Sequence, residues 1–329
     1  MIRIFHNTTY DFIRWWKVAL GLTAAFIVLG IGSLLIKGVN YSIEFTGGTL
    51  MQLHFKQPPD AGQIRRALDG GGFRDAEIQQ FGSDTAYTLR VQGTAEVAAQ
   101  SAGADRIAQR VASILTKQFG PNDVSIPRIE AVGPRVGSEL RRDALIAILL
   151  SFVVTLVYLA IRFEWRFGLA AIIATGHDIF TTLAFLKLMH LEVSLTVVAA
   201  LLTVLGYSLN DTIIIFDRVR ENLRKGRKES LYDVLNRSIN ETLPRSILTH
   251  TTAAAATLAL LLFAGEVIRP FAWVMLFGIV TGTFSSIYIA SPVLLWIERK
   301  YPRAAAAWKP SSTATATSRT RPSPATATR

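Results

Sequence analysis

Six long apolar runs constrain this chain more than any other feature of its sequence. They lie at residues 18–36, 144–161, 167–188, 193–216, 247–264 and 271–297. A helix of about 20 apolar residues crosses the hydrocarbon core of a bilayer, and six such runs are foreign to an ordinary soluble fold. Half of the 329 residues are hydrophobic and only 18% are charged, which agrees with this class. We therefore predict a polytopic α-helical membrane protein with six transmembrane helices.

The first apolar run has the features of a transmembrane span rather than of a signal peptide that is cleaved off. It is longer than the core of a signal peptide, and no small-x-small cleavage site follows it. We therefore assign residues 17–38 to transmembrane helix 1. Residues 1–16 mix apolar side chains with Arg3 and Arg14, and end in two tryptophans that suit the headgroup region. This segment is predicted to lie in the cytoplasmic interface of the membrane.

Basic residues set the expected orientation. Between the fourth and fifth runs, residues 217–243 contain Arg218, Arg220, Arg224, Lys225, Arg227, Lys228 and Arg237. The short connections near residues 190 and 266 carry few cations. By the positive-inside rule the basic loop is cytoplasmic, and six spans put both termini on that side. Residues 39–139 are then expected in the periplasm, outside a cell inner (cytoplasmic) membrane.

Residues 39–139 have the pattern of an α+β domain. Strands are predicted at residues 49–57, 76–81, 86–92 and 124–130, and helices at residues 60–68 and 95–119. The order βαββαβ is that of a ferredoxin-like domain. We therefore predict one such periplasmic domain between helices 1 and 2, with helices 2–6 in residues 140–300.

Composition excludes several kinds of function. The chain has no cysteine, so disulfides, thiolate catalysis and cysteine metal sites are excluded. Its net charge of +11 comes from basic residues beside the apolar runs, so we predict no nucleic-acid partner. Residues 301–329 are Ala-, Thr-, Ser-, Pro- and Arg-rich and are predicted to be a disordered cytoplasmic tail. Contact with anionic lipid is the alternative to a solvated linker.

Ionisable residues inside the spans form the candidate site, because each costs about 2.5–3.5 kcal/mol at the membrane centre. Asp211 precedes the basic loop by six residues. It lies at the margin of a polar face of the fourth span that consists of Thr203, Gly206, Asn210 and Asp217. Arg245 opens the fifth span from the same side, and Thr249 continues its face. The similar depth of Asp211 and Arg245 leaves two interpretations open. They are a proton relay that works as a switch, or a static ion pair between two helices.

Asp178 is a further candidate, near the middle of the third span in the motif Gly176-His177-Asp178. Adjacent helix positions point about 100° apart, so His177 and Asp178 are not expected to chelate a metal ion together. A proton relay and a packing role, through hydrogen bonds to neighbouring hydroxyls, both stay open. In the sixth span, Gly278 and Gly282 have the GxxxG spacing of close helix packing.

Residues 206–222, which read GYSLNDTIIIFDRVREN, resemble the SecF family of protein-export membrane subunits. Residues 41–48 (YSIEFTGG), residues 132–140 (VGPRVGSEL) and the motif at residues 176–178 also resemble family segments. Glu44 stands where the family often has Asp, which keeps the charge. Arg245 falls where the family has its fifth-span arginine. The resemblance covers nearly the whole chain.

The resemblance implies a periplasmic ferredoxin-like domain and assembly with SecD beside the SecYEG channel. It also implies late translocation and release of unfolded preprotein, driven by the proton-motive force, with membrane lipid around the spans. The residues themselves imply an incomplete transporter, with one buried carboxylate, one arginine and six spans. A second half is therefore expected.

Three other functions stay open. The same architecture serves a stand-alone resistance-nodulation-type exporter of small molecules or lipids. Asp178 and Asp211 are the two carboxyls that an intramembrane aspartyl protease needs, although the motif Gly-x-Gly-Asp is missing. A purely structural partner of the channel is the third. No His-Glu-x-x-His, Gly-x-Ser-x-Gly or Walker loop is present, so we predict no enzyme and no cofactor.

Overall fold

The structure is a computed structural model that describes residues 8–74, 76–81, 83–91, 101–225, 229–265 and 267–301. In chain order, a 3₁₀ turn at Ile13–Trp15 is followed by α1 (Trp16–Lys37), α2 (Ile43–Thr46), β1 (Gly48–Phe55), α3 (Ala61–Gly70), β2 (Glu77–Phe81), β3 (Ser83–Val91), α4 (Ser101–Phe119), β4 (Val124–Val132), α5 (Pro134–Arg162), α6 (Trp165–Leu188), α7 (Leu195–Arg224), α8 (Leu231–Phe263), α9 (Arg269–Ser285), a π turn (Ser286–Ala290) and α10 (Ser291–Lys300). Over these residues, six helices are long and apolar enough to cross a membrane, which confirms the predicted number of spans.

The strands form one antiparallel sheet in the order β2-β3-β1-β4, which we call the sheet domain. This order and the sequence βαββαβ confirm the predicted ferredoxin-like fold. In β1, Met51, Leu53 and Phe55 alternate onto the face that α3 and α4 cover, where Ile64 and Leu115 complete the core. β4 is an edge strand, so it tolerates Pro127, which has no backbone N–H to donate.

The membrane helices divide into a buried set and a peripheral set. In the most apolar stretch of α6, α7 and the sixth span (α9, π turn and α10), 50%, 56% and 61% of the residues are buried. The corresponding shares for α1, α5 and α8 are 11%, 6% and 11%. α6, α7 and the sixth span therefore form the centre of the bundle, and α8 presents most of its surface outward.

The predicted basic loop at residues 217–243 differs from the structure. α7 continues to Arg224 and α8 already begins at Leu231, so most of this stretch is helical. Opposite charges one turn apart, such as Arg218 with Glu221 at 2.6 Å, support helix beyond the apolar run. Arg218 also bonds Glu241 at 2.6 Å, which ties the two helix ends together.

The N-terminal segment docks on the first turns of α8. Tyr10 N donates to Asn240 Oδ1 at 3.0 Å, and the Asp11 carboxylate accepts from Tyr232 at 2.6 Å and from Asn236 at 2.9 Å. The hydrogen bond from Tyr232 lowers the pKa of the Asp11 carboxyl below its ordinary value. Residues 1–7, residues 92–100 at the predicted start of the second domain helix, and the predicted tail beyond residue 301 lie outside the described residues.

Candidate functional site in the membrane

Glycines let the central helices approach one another closely. A Cβ added at Gly278 would lie 2.3 Å from Val204 Cγ2, and one added at Gly282 would lie 2.9 Å from Ser208 Cβ. Only a residue without a side chain fits at these positions on α9. The predicted packing role of the two glycines is confirmed, and the contact brings Ser208 of α7 to the centre of the bundle.

Asp178 on α6 is held by hydroxyl groups from two neighbouring spans. Asp178 is only 2% exposed. Its Oδ2 accepts hydrogen bonds from Ser208 on α7 and, at 2.8 Å, from Ser285 on α9. His177 Nδ1 lies 3.0 Å from Oδ1. The carboxyl thus joins three spans, which gives the predicted packing role a structural basis. Its predicted relay role stays a prediction.

The Ser285 hydroxyl has two acceptors. Besides Asp178, it lies 3.1 Å from Gly282 O on its own helix. A hydroxyl donates one proton at a time, so the Asp178 carboxyl and the Gly282 carbonyl compete for the Ser285 proton.

The π turn follows directly after this serine. The hydroxyls of Ser286 and Thr212 are 2.8 Å apart, which links the start of the turn to α7. Ser291 Oγ donates to Ser286 O at 3.0 Å, across the widened turn. Single π turns inside α-helices are frequent at functional sites, because the extra residue re-aims the side chains around it.

Asp211 lies one turn further along α7 than Ser208 and belongs to a separate hydrogen-bond network. Asp211 is 2% exposed, and Ser246 Oγ of α8 donates a hydrogen bond to its Oδ1 at 2.5 Å. The second oxygen, Oδ2, is buried and has no hydrogen-bond partner among the described residues. One helical turn away, the rings of Tyr207 and His250 meet edge to face at 5.3 Å. Among the described residues, Ser246 alone donates to this carboxyl, so an ionised carboxylate here would be incompletely compensated.

Arg245 does not reach Asp211. Its side chain is exposed, and within the described part of the chain it makes neither a hydrogen bond nor an ion pair. Ser246, the next residue, occupies the place beside the carboxylate instead. The expected ion pair is therefore not formed in this conformation. The physical reason is the direction in which each side chain points around the helix axis. Neighbouring positions differ by about 100° in this direction, and the position of a residue along the span does not specify which of two neighbours turns inward.

Arg245 belongs to a group of polar residues that face out of the bundle, which we call the polar stripe. The group consists of the exposed residues Thr203, Asn210, Arg245, Thr249 and Thr252. Thr249 Oγ1 donates to Arg245 O at 3.0 Å, and its own carbonyl accepts from Tyr207, so α7 and α8 are joined behind the stripe. A polar surface of this kind cannot face hydrocarbon and needs protein or water against it.

Comparison with known proteins decides the family. Residues 111–300 match the family described as "Protein export membrane protein SecD/SecF, C-terminal", and residues 32–59 match the "SecD/SecF GG Motif". The chain is 64% identical to "Protein translocase subunit SecF" of Gemmatimonas aurantiaca over 305 residues, 92% of this chain and 91% of that protein. It is 37% identical to the protein of the same name from Escherichia coli O157:H7, over 88% of both chains. The chain belongs to the SecF family. It is a multi-pass inner-membrane protein.

A solved structure of a family member has the same fold. The crystal structure of SecDF, a translocon-associated membrane protein from Thermus thermophilus, superimposes with a TM-score of 0.79 at 34% identity. The match covers 89% of this chain but only 39% of the SecDF chain. The SecF-family names favour a translocase subunit over the exporter alternative. They are names of a transport subunit rather than of an enzyme. The protease alternative also loses its basis, because Asp178 and Asp211 bond to different partners.

The free face of the SecF-type sheet domain turns toward the ends of the spans. With the helices on the other face, half-buried Leu50, Gln52 and Thr88 line a cavity of about 540 Å³. Its floor includes Glu192 before α7 and Trp273 on α9. This face of the sheet is therefore sheltered above the membrane helices rather than fully open to solvent.

Sequence reasoning missed the serines of both networks. Ser208, Ser246 and Ser285 each donate a hydrogen bond to one of the two buried carboxyls, and each is a small hydroxyl residue within an apolar span. Ser246 follows Arg245, and Ser208 precedes Asp211 by three residues, so their helix depth was available from the sequence. Among the described residues, no group of three His, Asp or Glu side chains is placed to hold a metal ion.

Proposed function

We propose that this chain is an accessory subunit of the Sec protein translocase that acts with SecD. In this proposal it uses the proton-motive force to drive late preprotein translocation and release, and it is not an enzyme. Its SecF relatives and the fold it shares with SecDF support the assignment. The match covers only 39% of the SecDF chain, and in this proposal SecD corresponds to the remainder.

The proposed orientation follows from the positive-inside rule. The basic ends of α7 and α8 lie in the cytoplasm with both termini, and the sheet domain lies in the periplasm. There the domain meets unfolded preprotein as it leaves the SecYEG channel, while lipid covers α1 and α5. Nucleic acid has no part in this role.

The observation that carries the proposal is the buried carboxyl of Asp211, one oxygen of which has no hydrogen-bond partner in the part of the chain that the structure describes. When ionised, it needs donors beyond Ser246, from water, from SecD along the polar stripe, or from Arg245. When protonated, it loses that need. The two protonation states therefore favour different arrangements of α7, α8 and the partner.

α8 has the means to change its arrangement. A rotation of about 100° places Arg245 where Ser246 now lies. Pro244, directly before Arg245, removes one backbone hydrogen bond from the helix and so weakens it at this point. One charge that crosses 100 mV gains about 2.3 kcal/mol, which biases a two-state equilibrium more than tenfold.

The test is export of a preprotein into inverted membrane vesicles, with and without a proton gradient, for Asp211→Asn in the assembled complex. We expect the stimulation by the gradient to disappear while the yield of the complex is unchanged. Asp217→Asn, the same change on the same helix at a partly exposed ion pair, is the matched control and should keep the stimulation. Normal stimulation in Asp211→Asn would refute the switch, and a lost complex would show a static structural role.

A further inference from the structure

The chain between α1 and β1 is bound to the connection between α6 and α7. Val193 N donates to Asn40 O at 2.7 Å, and Ser42 N donates to Val193 O at 2.9 Å, which makes a short parallel β bridge. Lys187 Nζ at the end of α6 donates to Gly38 O at 2.7 Å. We call these paired segments, residues 38–45 and 187–195, the clasp.

Glu44 extends the clasp to the first residue of α7. Its Oε2 accepts a hydrogen bond from the backbone N–H of Leu195 at 2.6 Å. The hydroxyl of Ser194 caps the same helix end by accepting a hydrogen bond from Val197 N. The first N–H groups of a helix lack partners within the helix and carry partial positive charge. A carboxylate from the segment that leads into the sheet domain therefore holds the start of α7, the helix that carries Asp211.

Arg90 extends the clasp to the sheet itself. This residue of β3 contacts the Glu192 carboxylate through Nη2, and its Nη1 donates to Tyr41 O at 2.9 Å and to Glu77 at 3.1 Å. The Arg90 side chain is only 11% exposed. Burial raises the pKa of the Glu192 carboxyl and the Arg90 charge opposes that rise, so Glu192 depends on Arg90 for a favourable charged state.

The path from Glu44 into the sheet is short and leaves little freedom. After α2, Gly47 (φ +74°) and Gly48 (φ +122°) turn the chain directly into β1, in the left-handed region that favours glycine. A Cβ added at Gly137 of α5 would lie 3.0 Å from Gly47 N, so a second helix presses on this turn. β1 lies between β3 and β4 in the sheet and would transmit a displacement of α7 to both.

We infer that the clasp is the mechanical link between α7 and the sheet domain, with Glu44, Arg90 and Glu192 as its positioning residues. The inference rests on the proposed function. It adds that a proton-dependent shift of α7 moves the domain through these contacts. The coupling is reciprocal, so a force that a bound chain exerts on the sheet domain also acts on α7 through the same bonds.

The test uses charge exchange in the full chain, assembled with SecD in lipid nanodiscs. Spin labels at Ser83→Cys on the domain and Phe263→Cys at the end of α8 report the distance between domain and bundle. This chain has no native cysteine, so within it the labels attach only at the two introduced positions. We expect Arg90→Glu and Glu192→Arg each to broaden the distance distribution and to lower gradient-stimulated export about tenfold. The double exchange should restore part of both, because it remakes the charge pair with opposite polarity. Full restoration is not expected, since a carboxylate at position 90 cannot donate to Tyr41 O and lies beside the Glu77 carboxylate.

Arg66→Glu is the matched control, as it reverses an arginine of the same domain whose ion pair with Asp60 is exposed. It should change neither readout. A distribution that stays narrow in both single variants, or that is no narrower in the double exchange than in the single variants, would overturn the clasp. A distribution that responds while gradient-stimulated export stays normal would overturn the coupling and leave the proposed function intact. Loss of gradient stimulation in the parent complex would refute the proposed function, while the distance measurement would still decide whether the clasp holds the domain.

Discussion

Replacing Gly282 by alanine tests the contact between α7 and α9 on which the Asp178 network depends. The new Cβ would lie 2.9 Å from Ser208 Cβ and 3.1 Å from Ser208 Oγ, against 3.4–4 Å for ordinary contact. The two helices must therefore separate by roughly 0.5 Å, which a close-packed interior resists. Overpacking of this kind costs about 1–3 kcal/mol. The hydrogen bond from Ser208 to Asp178 is worth about 1.5–3 kcal/mol if it breaks as well.

Gly176→Ala is the matched control, since a Cβ there meets nothing within 4 Å. In a helix interior alanine is favoured over glycine by about 1 kcal/mol, so the control should be neutral or slightly stabilising. The assay is thermal unfolding of the purified chain in detergent, followed by tryptophan fluorescence. Each 1 kcal/mol should lower the midpoint by roughly 1–2 °C for a chain of 329 residues.

A second substitution separates the steric cost from the lost hydrogen bond. Ser208→Gly removes the Cβ that the new methyl group meets, but it also removes the hydroxyl that donates to Asp178. The double variant Gly282→Ala/Ser208→Gly should therefore regain part of the lost stability and not all of it. Equal midpoints for Gly282→Ala and Gly176→Ala would refute the packing argument.

Three further predictions concern the two sides of the membrane. A cysteine at Ser83 should react with an impermeant maleimide from the periplasmic side of intact cells, and labelling only after the membrane is breached would overturn the orientation. A photo-crosslinker at Gln52, on the sheltered sheet face, should capture an unfolded secretory chain and not its folded form; equal capture of both would contradict a role in handling unfolded chain. Because the pKa of Asp11 is lowered in the folded chain, its contribution to docking of the N-terminal segment is present above the ordinary carboxyl range and is lost as the pH falls through the lowered value. Hydrogen exchange of residues 8–13 should rise at that acid pH in the parent chain and already at neutral pH in Asp11→Asn, and an unchanged exchange in the variant would show that Asp11 does not hold the segment.

The spans and the sheet domain were predictable because they depend on local pattern. Run length determines whether a helix crosses the bilayer, and the change from alternating to helical periodicity marks βαββαβ along the chain. The helical extension to Arg224 was missed, since the positive-inside rule counts charges near a span and not the ion pairs that continue a helix. Opposite charges such as Arg218 and Glu221 carry that signal.

The sites were predictable in depth but not in azimuth. Asp211 and Asp178 are buried where the apolar runs place them, yet their partners are serines that the sequence does not distinguish from many other small residues. Arg245 directly precedes Ser246, the residue that contacts Asp211, but its own side chain is exposed on the outside of the bundle. The clasp joins positions about 150 residues apart, such as Glu44 and Leu195, and no local pattern reports a contact of that separation.

The π turn at Ser286–Ala290 lets the sixth span take up a change in length of one residue. A π turn holds one residue more than the α-helical turn that it replaces. Deleting one residue there would therefore return the turn to α geometry and keep α10 in its present rotation relative to α9. The buried face of α10, with Leu294 and Ile297, would stay in the bundle, and Ser285 would keep its place beside Asp178. Among functional relatives, gaps of one residue in the sixth span should therefore fall in this turn rather than in α9 or α10, where the same gap would rotate the residues that follow it by about 100°.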